Sequence, residues 1–559
     1  MIQTMSTSWQ QQFDPFGLQA ITRKAALAWW KHPDELAASW QEWWQQVGKL
    51  NSYAAARCLG TELPPVCPPQ AEDERFKDPA WQELGWDLLK QWYLLNTHWL
   101  QDALYRTPEL SDKERSRSAF WLRQGLNALA PNNFFLTNPV AQRKAQESGG
   151  KSLSEGWRNF LRDAARGDIA MTDLSAFQVG KNLATTPGAV VYRGRLLEVI
   201  HYEATTPTVK QIPVVIVSPW INKYYVLDLD NKKSLIQYLV SQGFSVFVTS
   251  WKNPGPDDKE VGFDDYITEG IDRIVQVAKD IQQSEQVLLT GYCIGGTLTT
   301  VYLAWLAAQK RGDEVAGATL LTTLTDFSRP GDIEVFLDEE GLSFVERKMQ
   351  AKGYLDGKDM AASFRMLRAN SLIWNYWVEN YLFGETPQPF DILYWNMDST
   401  RMPCAMHSFY LREFYLHNKL TQPNALTIAG QKIDLRKIKT PLFMVSAEED
   451  HIAPWKQTWH LTEHTPHAPV KFTLSSSGHI LGIVNPPKPN SKRRYWQGDV
   501  KAGEPHPTWF ARQEPVNGSW WPSWVNWMNG KAETDISPQL SSNRYPAICP
   551  APGRYVLEH

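Results

Sequence analysis

Three residues in this chain have the types, order and settings of a nucleophile, its orienting acid and its base. The first is Cys293. It stands in Gly291-Tyr292-Cys293-Ile294-Gly295-Gly296, between a short apolar run at 287–290 and a helix-compatible segment at 297–309. A strand, a glycine-flanked turn and a helix in immediate succession push the central side chain out at the tip of a sharp elbow. Gly291 and Gly295 let that turn close, because a side chain at either position would collide with the neighbouring strand or helix. Cys293 then opens the helix, whose positive end and free N–H groups favour a thiolate. A buried, inert cysteine at an ordinary strand–turn–helix junction is the competing reading. The pentapeptide by itself leaves both open.

A thiol nucleophile needs a base, and the base needs an orienting acid. In parallel sheets such partners stand just beyond the carboxyl ends of later strands. Two places qualify. The apolar run PLFMVSA at 441–447 leads into Glu448-Glu449-Asp450, and VKFTLS at 470–475 leads into Ser476-Ser477-Gly478-His479. Asp326, beyond a strand at 316–323, is a rival acid. His451 is a rival base, poorly placed because it adjoins Asp450. Singly, each residue has an ordinary explanation: a loop histidine with a structural hydrogen bond, or an aspartate that caps a helix. Together, Cys293, Asp450 and His479 at successive strand ends point to covalent catalysis by a thiol. The oxyanion of such a reaction is expected to rest on the backbone N–H of Ile294. A second N–H is expected from Trp220 or Ile221, in the loop after PVVIVS.

The elements that must position these residues follow from hydrophobic periodicity. Strands are predicted at 189–192, 196–202, 213–218, 244–251, 287–290, 316–323, 441–447 and 470–475, with helices at 232–242 and 267–282 among them. Continuous apolar runs suit strands covered on both faces, and strands alternating with helices imply a mostly parallel α/β sheet. The order Cys, Asp, His is that of an α/β-hydrolase fold. The alternation lapses between about 328 and 438, an aromatic-rich helical stretch expected to form a lid over the site. Residues 1–185 read as a helical N-terminal domain, with tryptophans at helical spacing, and 186–559 as the catalytic domain. A last helix is predicted at 520–528.

Bulk properties narrow the function classes. A formal net charge of −3 leaves no basic footprint for nucleic acid. Tryptophan is the outlier at 26 copies, grouped at 29–44 and 520–527. Core packing is its main expected use, and contact with an amphiphilic surface the second. Five widely spaced cysteines argue against a disulfide framework and no C-x-x-C pair suggests zinc, so no metal is expected. No apolar run reaches the ~18 residues of a membrane-spanning helix. The opening MIQTMSTSWQQQFDPFG lacks a basic segment followed by an apolar one, so no signal peptide is expected. A reducing cytoplasm suits a free thiol.

The segments VVIVSPWINKYYVLDL, SWKNP, GYCIGGT, FDILYWNMDSTRMP, AEEDHIAPW and SGHILGIVNPP, with FKDPAWQ upstream, resemble polyhydroxyalkanoate synthases over about residues 70 to 530. The length and the GYCIGGT elbow resemble the single-subunit class I enzymes. The resemblance implies an acyltransferase that polymerises (R)-3-hydroxyacyl-CoA thioesters into polyester with release of CoA. CoA arrives with the substrate, and no separate cofactor is implied. Cys293 matches the acylated nucleophile, His479 the general base, and Asp450 the acid that also helps activate the attacking hydroxyl. Tyr224, Trp395 and His451 match substrate-binding positions. The resemblance further implies a homodimer formed through the insertion, residence on polyester granules in the cytoplasm, and phasin-type granule proteins as partners. Ser218-Pro219-Trp220 departs from the two prolines of many relatives. A thioesterase or polyester depolymerase on the same scaffold, and a non-catalytic granule-coat protein, are the alternatives. The basic run at Lys488, Lys492, Arg493 and Arg494 is expected to be a solvated face, although it offers candidates for the CoA phosphates.

Overall fold

Eleven strands form one sheet in the C-terminal part of the chain. They are β1 (Gly188–Arg193), β2 (Leu197–Tyr202), β3 (Val214–Val217), β4 (Val246–Trp251), β5 (Val287–Tyr292), β6 (Val315–Leu321), β7 (Leu442–Ala447), β8 (Val470–Ser475), β9 (Arg494–Asp499), β10 (Val516–Asn517) and β11 (Cys549–Pro550). The spatial order is β10-β9-β8-β7-β6-β5-β3-β4-β2-β1-β11. From β4 to β8 neighbouring strands run parallel, and antiparallel strands extend both ends. This computed structural model describes residues 18–70 and 73–559. The segment 1–17, where no signal peptide is expected, lies outside the described residues.

Strands β3, β5 and β7 are buried along their whole length, as their unbroken apolar runs require. Helices α1 (Leu235–Ser241), α2 (Asp272–Gln282), α3 (Ile294–Ala308) and α4 (Trp521–Asn529) cover the sheet. Ile274, Val275 and Ile281 of α2 pack with Leu298 and Val301 of α3 in one core. Ile236 and Leu239 of α1 pack with Trp521 and Trp524 of α4 in the other. Each such side chain taken from water contributes about 1.5–3 kcal/mol. The C-terminal tryptophans are therefore core residues. The structure also adds β9, β10 and β11, which the sequence reading did not contain. Arg494–Asp499 mixes charge, aromatic and glycine, because only two of its six residues are buried.

The insertion holds helices Glu339–Lys352, Gly357–Leu367, Asp391–Met397 and Cys404–Phe409, and wide π-type turns at Asn370–Trp374, Trp377–Leu382 and Tyr410–Leu416. By compactness the chain divides into two units. One holds Met1–Leu174 together with Ala362–Phe390; the other holds Ser175–Ala361 and Asp391–His559. The stretch expected as a single lid is thus shared between them.

The first unit is helical: Leu18–Lys31, Pro33–Cys58, Leu84–Arg106, Asp112–Ala128, Pro139–Glu147 and Lys151–Arg166. Lys151–Arg166 turns polar and small residues inward, with Ser152, Gly156, Asn159 and Asp163 buried. Asn159 Nδ2 donates to the Asn380 carbonyl at 3.1 Å and the Tyr381 hydroxyl donates to Asp163 at 2.8 Å. The apolar side of the same helix, with Leu153, Trp157 and Leu161, is exposed. Trp30, Trp40, Trp44 and Trp92 of this unit are exposed as well.

Candidate active site

Cys293 sits at the tip of the β5–α3 turn with φ 53° and ψ −121°, a backbone state that non-glycine residues seldom adopt. Its N–H bonds the Leu321 carbonyl of β6 at 2.9 Å, and its own carbonyl accepts from Gly296 at 2.9 Å. The turn closes because of two glycines. A Cβ on Gly291 would come within 2.5 Å of Gly296 Cα, and one on Gly295 would overlap the Val217 carbonyl at the end of β3.

Asp450 follows β7 and His479 follows β8. His479 Nδ1 and Asp450 Oδ2 lie 2.6 Å apart. The other Asp450 oxygen accepts the Ile452 and Ala453 N–H groups at 2.8 and 2.9 Å, so the carboxylate is fixed before it orients the ring. With Nδ1 so occupied, Nε2 is the ring nitrogen left free for the Cys293 sulfur, whose charge acts on the imidazole. Burial alone lowers the His479 pKa. The Asp450 carboxylate and the Cys293 sulfur more than offset it and hold the imidazole well above its ordinary 6.5. Tyr292 backs the loop: its ring lies 5.7 Å from that of His479, and its hydroxyl reaches the His479 carbonyl at 3.4 Å.

The rival acid is occupied elsewhere. Asp326 accepts from Asn418 Nδ2 at 3.0 Å and from the Ser328 N–H at 2.9 Å, and it faces His464 Nε2 at 3.3 Å. Burial pushes its pKa up, and the His464, Ser328 and Asn418 bonds bring it well below the usual carboxylate range. His451, the rival base, is half-buried in the turn after Asp450.

Ile294 is the first residue of α3, so its N–H belongs to the group that a helix leaves without an internal acceptor. The loop after β3 runs beside the elbow, since Gly295 approaches both the Val217 and Ser218 carbonyls. That brings the Trp220–Ile221 segment to the same end of the sheet. Trp220 is buried against Tyr266 and Tyr410, with ring separations of 4.8 and 6.5 Å. Tyr224 and Trp395 are 2% and 5% exposed. Trp395 spends its indole N–H on the Lys223 carbonyl at 2.6 Å. Tyr224 is enclosed with Tyr202 and Asp228, and burial raises its pKa. Both are packed into the core beneath the loop, among apolar strand residues.

One wall of the site was absent from the sequence reading. Tyr410 and Tyr415, from the insertion, meet edge to face with ring centroids 5.3 Å apart. Burial raises both of their pKa values, and the Cys293 sulfur adds to it. Their spacing is neither helical nor extended; it comes from the π-type turn Tyr410–Leu416, which periodicity does not register. Among the described residues no group of His, Cys, Asp and Glu side chains is arranged to hold a metal ion, and no helix is long and apolar enough to cross a membrane.

Residues 72–239 match the family described as poly-beta-hydroxybutyrate polymerase N-terminus, and residues 213–486 match the alpha/beta hydrolase fold. A poly(3-hydroxyalkanoate) polymerase of Methylorubrum extorquens is 39% identical over 96% of this chain and 89% of its own. The poly(3-hydroxyalkanoate) polymerase subunit of Cupriavidus necator is 42% identical over 87% of this chain and 83% of its own. Among solved structures, a Paleococcus ferrophilus monoacylglycerol lipase is similar at 12% identity and a TM-score of 0.32, covering 60% of this chain and 99% of that one.

Proposed function

The chain belongs to the poly(3-hydroxyalkanoate) polymerase family and is an acyl-transferring enzyme; on that premise we propose that it polymerises (R)-3-hydroxyacyl-CoA thioesters, with release of CoA, through an acyl thioester on Cys293. The observation that carries this reading is the 2.6 Å Asp450–His479 bond beside a cysteine held at the tip of a strand–helix elbow.

In the first half-reaction His479 takes the Cys293 proton and the sulfur attacks the thioester carbonyl. The oxyanion rests on the Ile294 N–H and on one N–H of the 220–221 loop. Collapse breaks the carbon–sulfur bond to CoA, and His479 returns the proton to the departing sulfur. In the second, His479 takes a proton from the hydroxyl of another hydroxyacyl unit, with Asp450 assisting. That oxygen attacks the Cys293 thioester, the ester forms, and the proton returns to the Cys293 sulfur. Each unit added exchanges one carbon–sulfur bond for one ester bond and frees one CoA thiol. Water has to be kept from the thioester, which gives the Tyr410 and Tyr415 wall its purpose.

The same reading makes the enzyme a class I synthase with a helical region at 1–185, a catalytic domain at 186–559 and no cofactor beyond the CoA of its substrate. It works in the cytoplasm as a homodimer formed through the insertion. It resides on the polyester granule with phasin-type proteins, and the exposed tryptophans of the helical unit touch the granule surface. Tyr224 and Trp395 act on substrate through the shape of the loop they support, and His451 acts at the rim of the triad.

A saturated acyl-CoA, which lacks the 3-hydroxyl and so stops after one transfer, tests the proposal. Mass spectrometry is expected to find one acyl group on Cys293 and none on Cys58, Cys67, Cys404 or Cys549, and Cys293→Ala is expected to lose CoA release altogether. Free hydroxy acid without polymer from (R)-3-hydroxybutyryl-CoA would make the protein a thioesterase instead.

A further inference from the structure

The loop between β3 and α1 is held along its length by residues 395–400 of the insertion. The Thr400 hydroxyl donates to the Trp220 carbonyl. The Thr400 N–H donates to the Ile221 carbonyl at 3.3 Å, and Asn222 forms an antiparallel bridge with Ser399. Trp395 holds the Lys223 carbonyl, as described above. Asp398 pairs with Lys223 at 2.8 Å and accepts the Tyr225 hydroxyl at 2.8 Å. Both side chains of the ion pair are buried. The far end of the loop is tied as well, since Ser218 bonds Thr249 through its N–H and hydroxyl, and Trp251 Nε1 donates to the Ser218 carbonyl at 2.8 Å.

A trans peptide carries its C=O and N–H on opposite sides. A hydroxyl fixed on the Trp220 carbonyl therefore dictates where the Ile221 N–H points, which is away from Thr400. Among the described residues neither the Trp220 nor the Ile221 N–H has an acceptor, so it is the fixed orientation of the Trp220–Ile221 peptide that separates them. A buried ion pair costs desolvation and is best understood where it sets a register; here it sets the register of Ser399 and Thr400 against the loop.

We propose that Thr400 and Asp398 are positioning residues that hold the Trp220–Ile221 peptide so that the Ile221 N–H serves as the second oxyanion donor. This rests on the Cys293 acyl-transfer reading and selects Ile221 over Trp220. Thr400→Val keeps the shape and removes the hydroxyl, and Thr400→Ser keeps the hydroxyl. Acylation of Cys293 by a thioester is expected to slow by about tenfold or more in Thr400→Val, with little change in KM. Thr400→Ser is expected to restore the rate. Alkylation of Cys293 by iodoacetamide, a direct displacement with no oxyanion, is expected to be unchanged in both, and thermal unfolding reports whether the fold survives. Asp398→Asn, which removes the charge from the Lys223 pair, is expected to show the same split and serves if Thr400→Val does not fold. Wild-type acylation rates in both variants, or alkylation that falls in step with acylation, overturn the proposal. If the acyl group is absent from Cys293 in the wild-type protein, the triad reading itself fails and takes the positioning role with it.

Discussion

Asp326 and Asp450 both follow a strand of the same sheet, and their hydrogen bonds decide between them. Asp450 holds His479 and is itself held by two backbone N–H groups; Asp326 is spent on Asn418, Ser328 and His464. Asp450→Asn is expected to lower kcat/KM by about 10³-fold or more, because the amide leaves the imidazole in the wrong tautomer. Asp326→Asn is expected to stay within a few fold in activity and to lower the urea midpoint instead. Continuous assay of released CoA thiol, beside denaturant titration, separates the two. At this scale the three residues of the candidate triad were legible, since each follows a run whose apolar character marks it as a strand. The choice between Trp220 and Ile221 was not, because it depends on which carbonyl a residue some 180 positions downstream engages. Tyr410 and Tyr415 were hidden for a similar reason, as their common face exists only on a π-type turn.

Among the elements, the elbow has the least room for change. A methyl group on Gly295 has nowhere to go but into the Val217 carbonyl, which belongs to a strand locked between β4 and β5. Gly295→Ala is expected to cost about 3 kcal/mol or more, read as a lowered unfolding midpoint, and to abolish Cys293 acylation in whatever protein folds. Strands β3 to β8 announced themselves because burial on both faces forces unbroken apolar runs. Strands β9, β10 and β11 extend the ends of the sheet, where half-exposed positions admit arginine, glutamine, asparagine and proline. Their composition carries no period. The helix at 521–529 was legible as a helix. Its placement in the core needed the strands beneath it, where Trp524 Nε1 finds the Thr319 hydroxyl at 2.8 Å.

Over the whole molecule, among the described residues, the exposed tryptophans all lie in the helical unit, which also buries Trp81. Trp520, Trp521 and Trp524 are buried, whereas Trp30 is 80% and Trp44 63% exposed. Replacing Trp30 and Trp44 together with serine is expected to change stability by no more than about 0.5 kcal/mol per site. The same pair of changes is expected to release protein from polyester granules in a sedimentation assay while CoA release in solution persists. Unchanged sedimentation would remove these residues from the granule contact. Composition flagged the tryptophan excess without dividing it, because core and surface helices use the same spacing. The division of the chain into units was likewise beyond periodicity, since one of its boundaries, at 361–362, falls inside the helix Gly357–Leu367. That interleaving bears on how such a gene can be recombined. A fragment beginning at residue 175 would keep Trp377, Asn380 and Tyr381 and lose Lys151–Arg166, the helix whose Phe160, Asn159 and Asp163 they meet. An exchange of N-terminal regions between two relatives would have to carry 362–390 with it, so the heritable module here is two separate stretches of sequence and one piece of structure.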